Sequence, residues 1–238
     1  MGSMSDNATP NGIPERLIEA TIALLAEQGP SAIKARTVAA EAGMSTMVVY
    51  NYFGGVPELI GAAVEHGFAE IESTLAGLPV TNDPIADLFR MALAVRDIAR
   101  ANPHLYDAMF GLSTRATYRP ASANDARRSG HSPTFKAAYA HIVGACTRIA
   151  AADRFEATDP DVLASSLWSF VHGYITLELA DHFVEFDDPV VQVLVPMGVT
   201  FTVGLGDDRE RARASHETAL TSHQSATHSP DSTHERDD

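Results

Sequence analysis

Apolar side chains recur three and four residues apart along almost the whole chain, and this spacing confines it to a helical fold more firmly than any other feature. Leu17, Ile18, Thr21, Leu24 and Leu25 share one face of a first helix, with Pro14 in its first turn and Gly29-Pro30 as its stop. A short second helix over Lys34–Ala42 turns Val38 and Ala39 inward and stops at Gly43. Ser45 suits the N-cap of a third short helix, Thr46–Phe53, and Gly54-Gly55 breaks the chain after it. Pro57 opens a fourth helix running to about Leu75. Further starts are expected at Asp83-Pro84, Asn102-Pro103 (a short helix through Leu112), Ser132-Pro133 and Asp159-Pro160, the last leading a long helix through Phe183. Residues 113–132, rich in Arg, Ser, Ala and Pro, read as a loop, and no strand pattern precedes residue 190.

Residues 189–206 carry no charge, and their Val and Thr content leaves helix and strand open on composition alone. A membrane span is not expected there, because Pro196, Gly198, Gly204 and Gly206 interrupt the run and no Lys or Arg anchor adjoins it. A segment apolar on all sides must instead be covered, by the core or by another subunit. The end of the chain differs. Over residues 207–238 eight carboxylates face four arginines, Ser and Thr are frequent, and large apolar side chains are almost missing. That composition cannot offset the entropy of ordering, so a disordered acidic tail is expected. His216, His223, His228 and His234 fall in it at a spacing that matches no metal motif. Residues 1–13 are likewise expected to be a disordered arm, with Met1-Gly2-Ser3 before Met4 reading as a tag remnant.

The single cysteine, Cys146, excludes a disulfide framework and a cysteine-based zinc finger. No apolar run follows a basic N-terminal segment, so no signal peptide is expected and the chain should be cytoplasmic. The net charge of −14 repels nucleic acid unless cations gather on one face. Only Lys34 and Lys136 are lysines, so arginine carries nearly all the positive charge.

One segment carries specific chemistry: RTVAAEAGMS from Arg36 to Ser45, followed by TMVVYNYF to Phe53. Short helix, glycine turn and capped helix make a helix-turn-helix, whose second helix can enter the DNA major groove. Val38, Val49 and Phe53 would pack inward; Thr46, Met47, Tyr50, Asn51 and Tyr52 would face out. The same pattern also fits a small three-helix core element with no DNA contact. Charge gives little help: residues 4–56 hold Arg16, Lys34 and Arg36 against five carboxylates, a net of −2.

These residues resemble the TetR family of bacterial transcriptional regulators. The resemblance rests on the run Ala20–Gly29, RTVAAEAGMS, VVYNYF and Pro57-Glu-Leu-Ile60, covering about residues 14–62. The later run LWSFVHGYITLEL resembles the Trp-His-Gly type of C-terminal domain found in part of that family. The resemblance implies an all-α fold: a three-helix DNA-binding domain over residues 14–56, then a larger ligand-binding and dimerisation domain over 57–206. Helix 57–76 would connect the two, and residues 189–206 would be helical. It implies phosphate contacts from Arg36, Tyr50 and Tyr52, and base contacts from Thr46, Met47 and Asn51, with Ser45 capping the recognition helix. Two positions depart from the family pattern. Val56 stands where a lysine is common, and Lys34 where Ser or Thr usually caps the second helix. Lys34 would then supply a replacement phosphate contact.

The implied function is a ligand-responsive repressor that binds a near-palindromic double-stranded DNA operator as a homodimer. A largely apolar small molecule would release it. The alternative is a helical small-molecule-binding protein whose DNA-binding unit has weakened, as Val56 and the net −2 suggest. No Ser-His-Asp spacing, metal cluster or phosphate-binding glycine loop supports an enzyme, and no cofactor or metal is expected. Candidate effector contacts are Met91, Val95, Tyr106, Phe110, Tyr139, Val143, Trp168 and His172, any of which can equally be core. Arg96 falls on the buried stripe of its helix and needs a partner: an acid such as Glu65, or an anionic group of the effector. Glu178 and His182 are spaced to pair along one helix. The dimer contact is expected along Asp159–Phe183 and 189–206, where a charge at Val195 or Val199 should weaken it.

Overall fold

The computed structural model describes residues 12–110, 132–152, 154–155 and 159–227. Among them every regular element is helical: α1 (Ile13–Gln28), α2 (Ala35–Glu41), α3 (Thr46–Phe53), α4 (Val56–Gly77), α5 (Pro84–Ala101), α6 (Pro103–Phe110), α7 (Pro133–Ala151), α8 (Pro160–Leu179), α9 (Val195–Gly204) and α10 (Arg209–Thr227). Four of these begin by one device. Asp83, Asn102, Ser132 and Asp159 each precede a proline, and each side-chain oxygen accepts a backbone N–H of the first turn. Proline presets the backbone where its missing N–H costs nothing, while the capping oxygen satisfies a donor the helix cannot.

The chain divides into two compact units, with boundaries inside α4 at Glu70–Ile71, at Arg100–Ala101 and at Phe135–Lys136. The first holds α1–α3, the first part of α4, and α6. Its core is Leu17, Leu24 and Leu25 of α1 with Val38, Val49, Leu59, Phe68, Leu105 and Met109. Asn102 joins α6 to α1 by donating from Nδ2 to the Ile22 carbonyl at 3.2 Å. The expected domain division at residue 56 is thus too simple, since α6 returns from far along the sequence to this unit. Tyr106 and Phe110 return with it, their rings 4.7 Å apart and Phe110 set edge-on to Phe68. Burial pushes the Tyr106 hydroxyl pKa well up.

The second unit holds α5, α7, α8, α9, α10 and the last turns of α4. Residues 189–206 resolve as helix: a π-helical turn over Val190–Leu194 runs into α9. α8 stops at Leu179, short of Phe183. The chain turns there through Asp181, whose φ is 58°, and Phe183 folds back to stack on Tyr174 at 5.2 Å.

The tail expectation is corrected over Arg209–Thr227. This segment is a helix packed on α9, with Ala212, Ser215, His216 and Ala219 buried. Asp208 caps it, and Asp207, its side chain fully buried, holds Arg154 at 2.6 Å and Arg211 at 2.9 Å. Small residues three and four apart form its buried stripe, so ordering needs little apolar bulk. Residues 1–11, 228–238 and the expected loop up to 131 lie outside the described residues, as do Gly111 and Leu112 at the expected end of α6. No helix among the described residues is long and apolar enough to cross a membrane.

Candidate nucleic-acid interface and cavity

α2 and α3 meet through a tight turn at Gly43, whose φ of 66° is a backbone conformation that side chains resist. Met44 N–H reaches back to the Ala39 carbonyl at 2.7 Å, and Arg16 Nη2 donates to the Ala42 carbonyl at 2.7 Å. Arg16, counted above as a cation for DNA, is therefore engaged in holding the turn. Lys34 and Arg36 remain exposed at the start of α2. Ser45 occupies the N-cap position of α3 with extended backbone, yet its hydroxyl makes no capping bond.

On α3, Val49 is fully buried and Phe53 half-buried, which fixes the opposite side as the exposed one. Met47 is 63% exposed and Asn51 lies four residues on, so the two share the centre of that side. Tyr50 and Tyr52, each about half exposed, stand at roughly 100° to either side of Asn51. Thr46 lies nearer the buried edge and is half-buried. A helix laid in a groove along this face presents Met47 and Asn51 to the floor and a phenol to each wall.

The second unit holds a partly open cavity of about 60 Å3, room for a few waters or one compact ligand. Its wall is apolar almost throughout: Leu88, Phe89 and Val95 of α5, Ile142 and Ile149 of α7, Leu163, Leu167 and Phe170 of α8, and Phe201 of α9 are among its members. The polar members are Trp168, His172, Thr202 and His216. Burial pushes His172 down to about 3, so its imidazole is neutral near pH 7. It packs against Trp168 with ring centres 4.0 Å apart and planes tilted by 50°.

Two family models match the chain: "Bacterial regulatory proteins, tetR family" over residues 17–63 and "Tetracyclin repressor-like, C-terminal domain" over residues 88–197. Together they span more than half of it. The chain belongs to the TetR family of transcriptional regulators. No curated protein matches it. Among solved structures it is similar to a Rhodococcus sp. RHA1 protein of unknown function, with a TM-score of 0.69 at 21% identity over 85% of this chain and 100% of that one. It is similar to RolR in complex with resorcinol (TM-score 0.60, 16% identity, 86% and 92% covered). It also resembles a TetR regulator from Streptomyces coelicolor (TM-score 0.52, 20% identity, 91% and 99% covered).

In this TetR regulator α2 and α3 are the helix-turn-helix, within the N-terminal match. Of the candidate effector contacts, Met91, Val95, Trp168 and His172 line the cavity. Tyr139 and Val143 do not. Tyr139 stands behind Trp168, edge-on at 5.4 Å, with its hydroxyl 3.1 Å from Ser165 Oγ. Tyr106 and Phe110 belong to the first unit. Arg96 is outside the wall as well, and its expected partner is corrected: Nε and Nη2 grip Glu178 at 2.7 and 2.6 Å, while Glu65 accepts from Ser132 and Thr134. Burial would lower the Arg96 pKa, but the paired carboxylate raises it, so the guanidinium stays charged. Glu178 is thereby unavailable to His182 and accepts instead from Tyr174. Sequence reasoning missed Phe89, Phe201 and His216. Phe89 stood on the apolar stripe of α5 and was within reach; His216 lay in the segment read as tail.

Proposed function

We propose that this regulator is a ligand-released repressor: a homodimer that binds a near-palindromic operator through α3 and leaves it when a compact, largely apolar molecule fills the cavity of the second unit. The cavity carries this reading. A partly open apolar space lined from several helices is where a small ligand buries most of its surface, and a regulator without such a space has nowhere to sense one. Exposed apolar side chains on α8 (Val162, Leu177), the π-helical turn (Val191) and α9 (Met197), each at least 40% exposed, support a two-fold contact. Lys34, Arg36, Tyr50 and Tyr52 would hold phosphates, while Thr46, Met47 and Asn51 would read bases, with Ser45 at the start of that helix. An effector then acts by binding one domain arrangement better than another, so that two recognition helices cease to match the spacing of two half-sites.

A mobility shift of the purified chain on the promoter region beside its own gene tests the reading. A retarded band lost on adding material extracted from the cavity supports it. Binding no tighter than to random DNA refutes the operator, and an extract without effect refutes release.

A further inference from the structure

We propose that His216 is the specificity-determining polar contact of the cavity, selecting uncharged ligands that carry an apolar body and one O–H or N–H donor directed at its Nε2. The proposal rests on the cavity being the effector site, as above, and names what that site admits.

His216 is 3% exposed, and its one hydrogen bond among the described residues runs from Nδ1 to the Ala212 carbonyl at 2.8 Å. A carbonyl only accepts, so Nδ1 carries the hydrogen. Burial pushes the ring's pKa down, against the Ala212 bond, and the neutral ring then leaves Nε2 with a bare lone pair. That atom lies over Gly198, so close that a Cβ there would stand 2.4 Å from it. Phe89 packs against the imidazole at 4.6 Å between ring centres, with the planes tilted by 58°. Thr202 cannot serve the lone pair, because its hydroxyl is directed at the Gly198 and Val199 carbonyls. An acceptor therefore waits in an apolar wall, and a ligand donor that meets it recovers a bond otherwise forgone.

The same geometry rejects anions. No Lys or Arg lines the cavity among the described residues, Arg96 being spent on Glu178, and a carboxylate would face the Nε2 lone pair. The contact comes from α10, beyond the stretch 88–197 that the C-terminal family model matches. α10 thus sets the polar requirement of this cavity.

Trp168 is the only tryptophan and lines the cavity, so its fluorescence reports occupancy. Phenol, toluene and benzoate are titrated into the full-length chain and its His216→Leu and His216→Gln variants. His216→Leu should lower the phenol-to-toluene affinity ratio at least fivefold, by weakening phenol while toluene still binds. His216→Gln keeps an acceptor and should hold the ratio within about twofold of the parent. Benzoate should not bind. In the unsubstituted chain, labelled with 15N-histidine, phenol should move the His216 Nε2 resonance and toluene should not; this needs no variant to fold. An unchanged ratio in His216→Leu, an unmoved resonance, or benzoate as tight as phenol would each overturn the proposal while leaving the cavity an effector site. If neither phenol nor toluene perturbs Trp168, the effector-site reading falls, and this proposal with it.

Discussion

Asp207→Asn is expected to loosen α10 from the second unit, and the cost follows from burial. The Asp207 side chain is fully buried and holds Arg154 at 2.6 Å; the Arg154 side chain is only 10% exposed. Breaking one partner out of a buried pair costs about 3–5 kcal/mol, because the other charge is left in a poor solvent. Arg154 keeps Asp83 at 3.1 Å, a partner 36% exposed, which places the expected loss near the lower end, about 3 kcal/mol. For a domain of this size that lowers Tm by roughly 6–12 °C. Arg211 also pairs with Asp207, at 2.9 Å, but is 51% exposed, so Arg211→Ala should cost less than about 1 kcal/mol. Urea unfolding followed by Trp168 fluorescence, at one protomer concentration, gives both values on one scale. The reasoning fails if Asp207→Asn costs no more than Arg211→Ala, since burial would then not govern the pair. Deleting residues 209–238 should likewise destabilise the unit, where a solvated tail would leave stability unchanged.

On DNA, Arg36→Ala and Tyr50→Phe should weaken binding to all sequences alike, while Asn51→Ala should cost about 1–3 kcal/mol of discrimination at one base pair per half-site; competition among operator variants separates the two, and the reverse pattern would show the roles to be exchanged. With Lys34 and Arg36 the exposed cations at the start of α2, a dimer should show a slope of log K against log salt of roughly −4, and a slope near −8 would mean that other cations reach phosphate. Met197→Asp, at a position 40% exposed on α9, should shift sedimentation from twice the chain mass to 25.4 kDa; Val199, at 6% exposed, now reads as a fold position, and a charge there tests the core instead. Asp87 is buried, which raises its pKa, but hydrogen bonds from Thr81 and Arg148 bring it below the usual carboxylate value. A depressed pKa stabilises the fold above the unfolded value, so stability should hold near pH 7 and fall as pH drops through the carboxylate range; Asp87→Asn should flatten that fall, and an unaltered acid limb would locate the loss elsewhere.

What could be read from the sequence was local. The turn at Gly43 and the four helix starts at Asp-Pro, Asn-Pro and Ser-Pro are decided within a few residues, so neighbours in sequence suffice to find them. Arg96 shows where that stops. Burial of its guanidinium followed from the stripe of α5, but its carboxylate lies 82 residues away, and nothing local separates Glu178 from Glu65. The cavity wall fails for a related reason. An apolar side chain facing a cavity and one facing another side chain have the same composition and the same period, so Met91 and Val95 line the space while Val143 and Tyr106 do not.

The order of α10 is not legible in composition for a different reason, one of scale. Little apolar bulk is needed for order here, because the small Ala212, Ser215 and Ala219 let α10 pack closely on α9 with His216 buried beside them. Gly198 is the matching element on the facing helix, since any side chain there would strike His216. Ordering of α10 therefore depends on charge pairing at Asp207 and on close packing rather than on hydrophobic area. A helix held in that way can bring a polar ring to the wall of an apolar cavity. The residue that sets the polar chemistry of the cavity thus sits on the helix whose order composition least foretold.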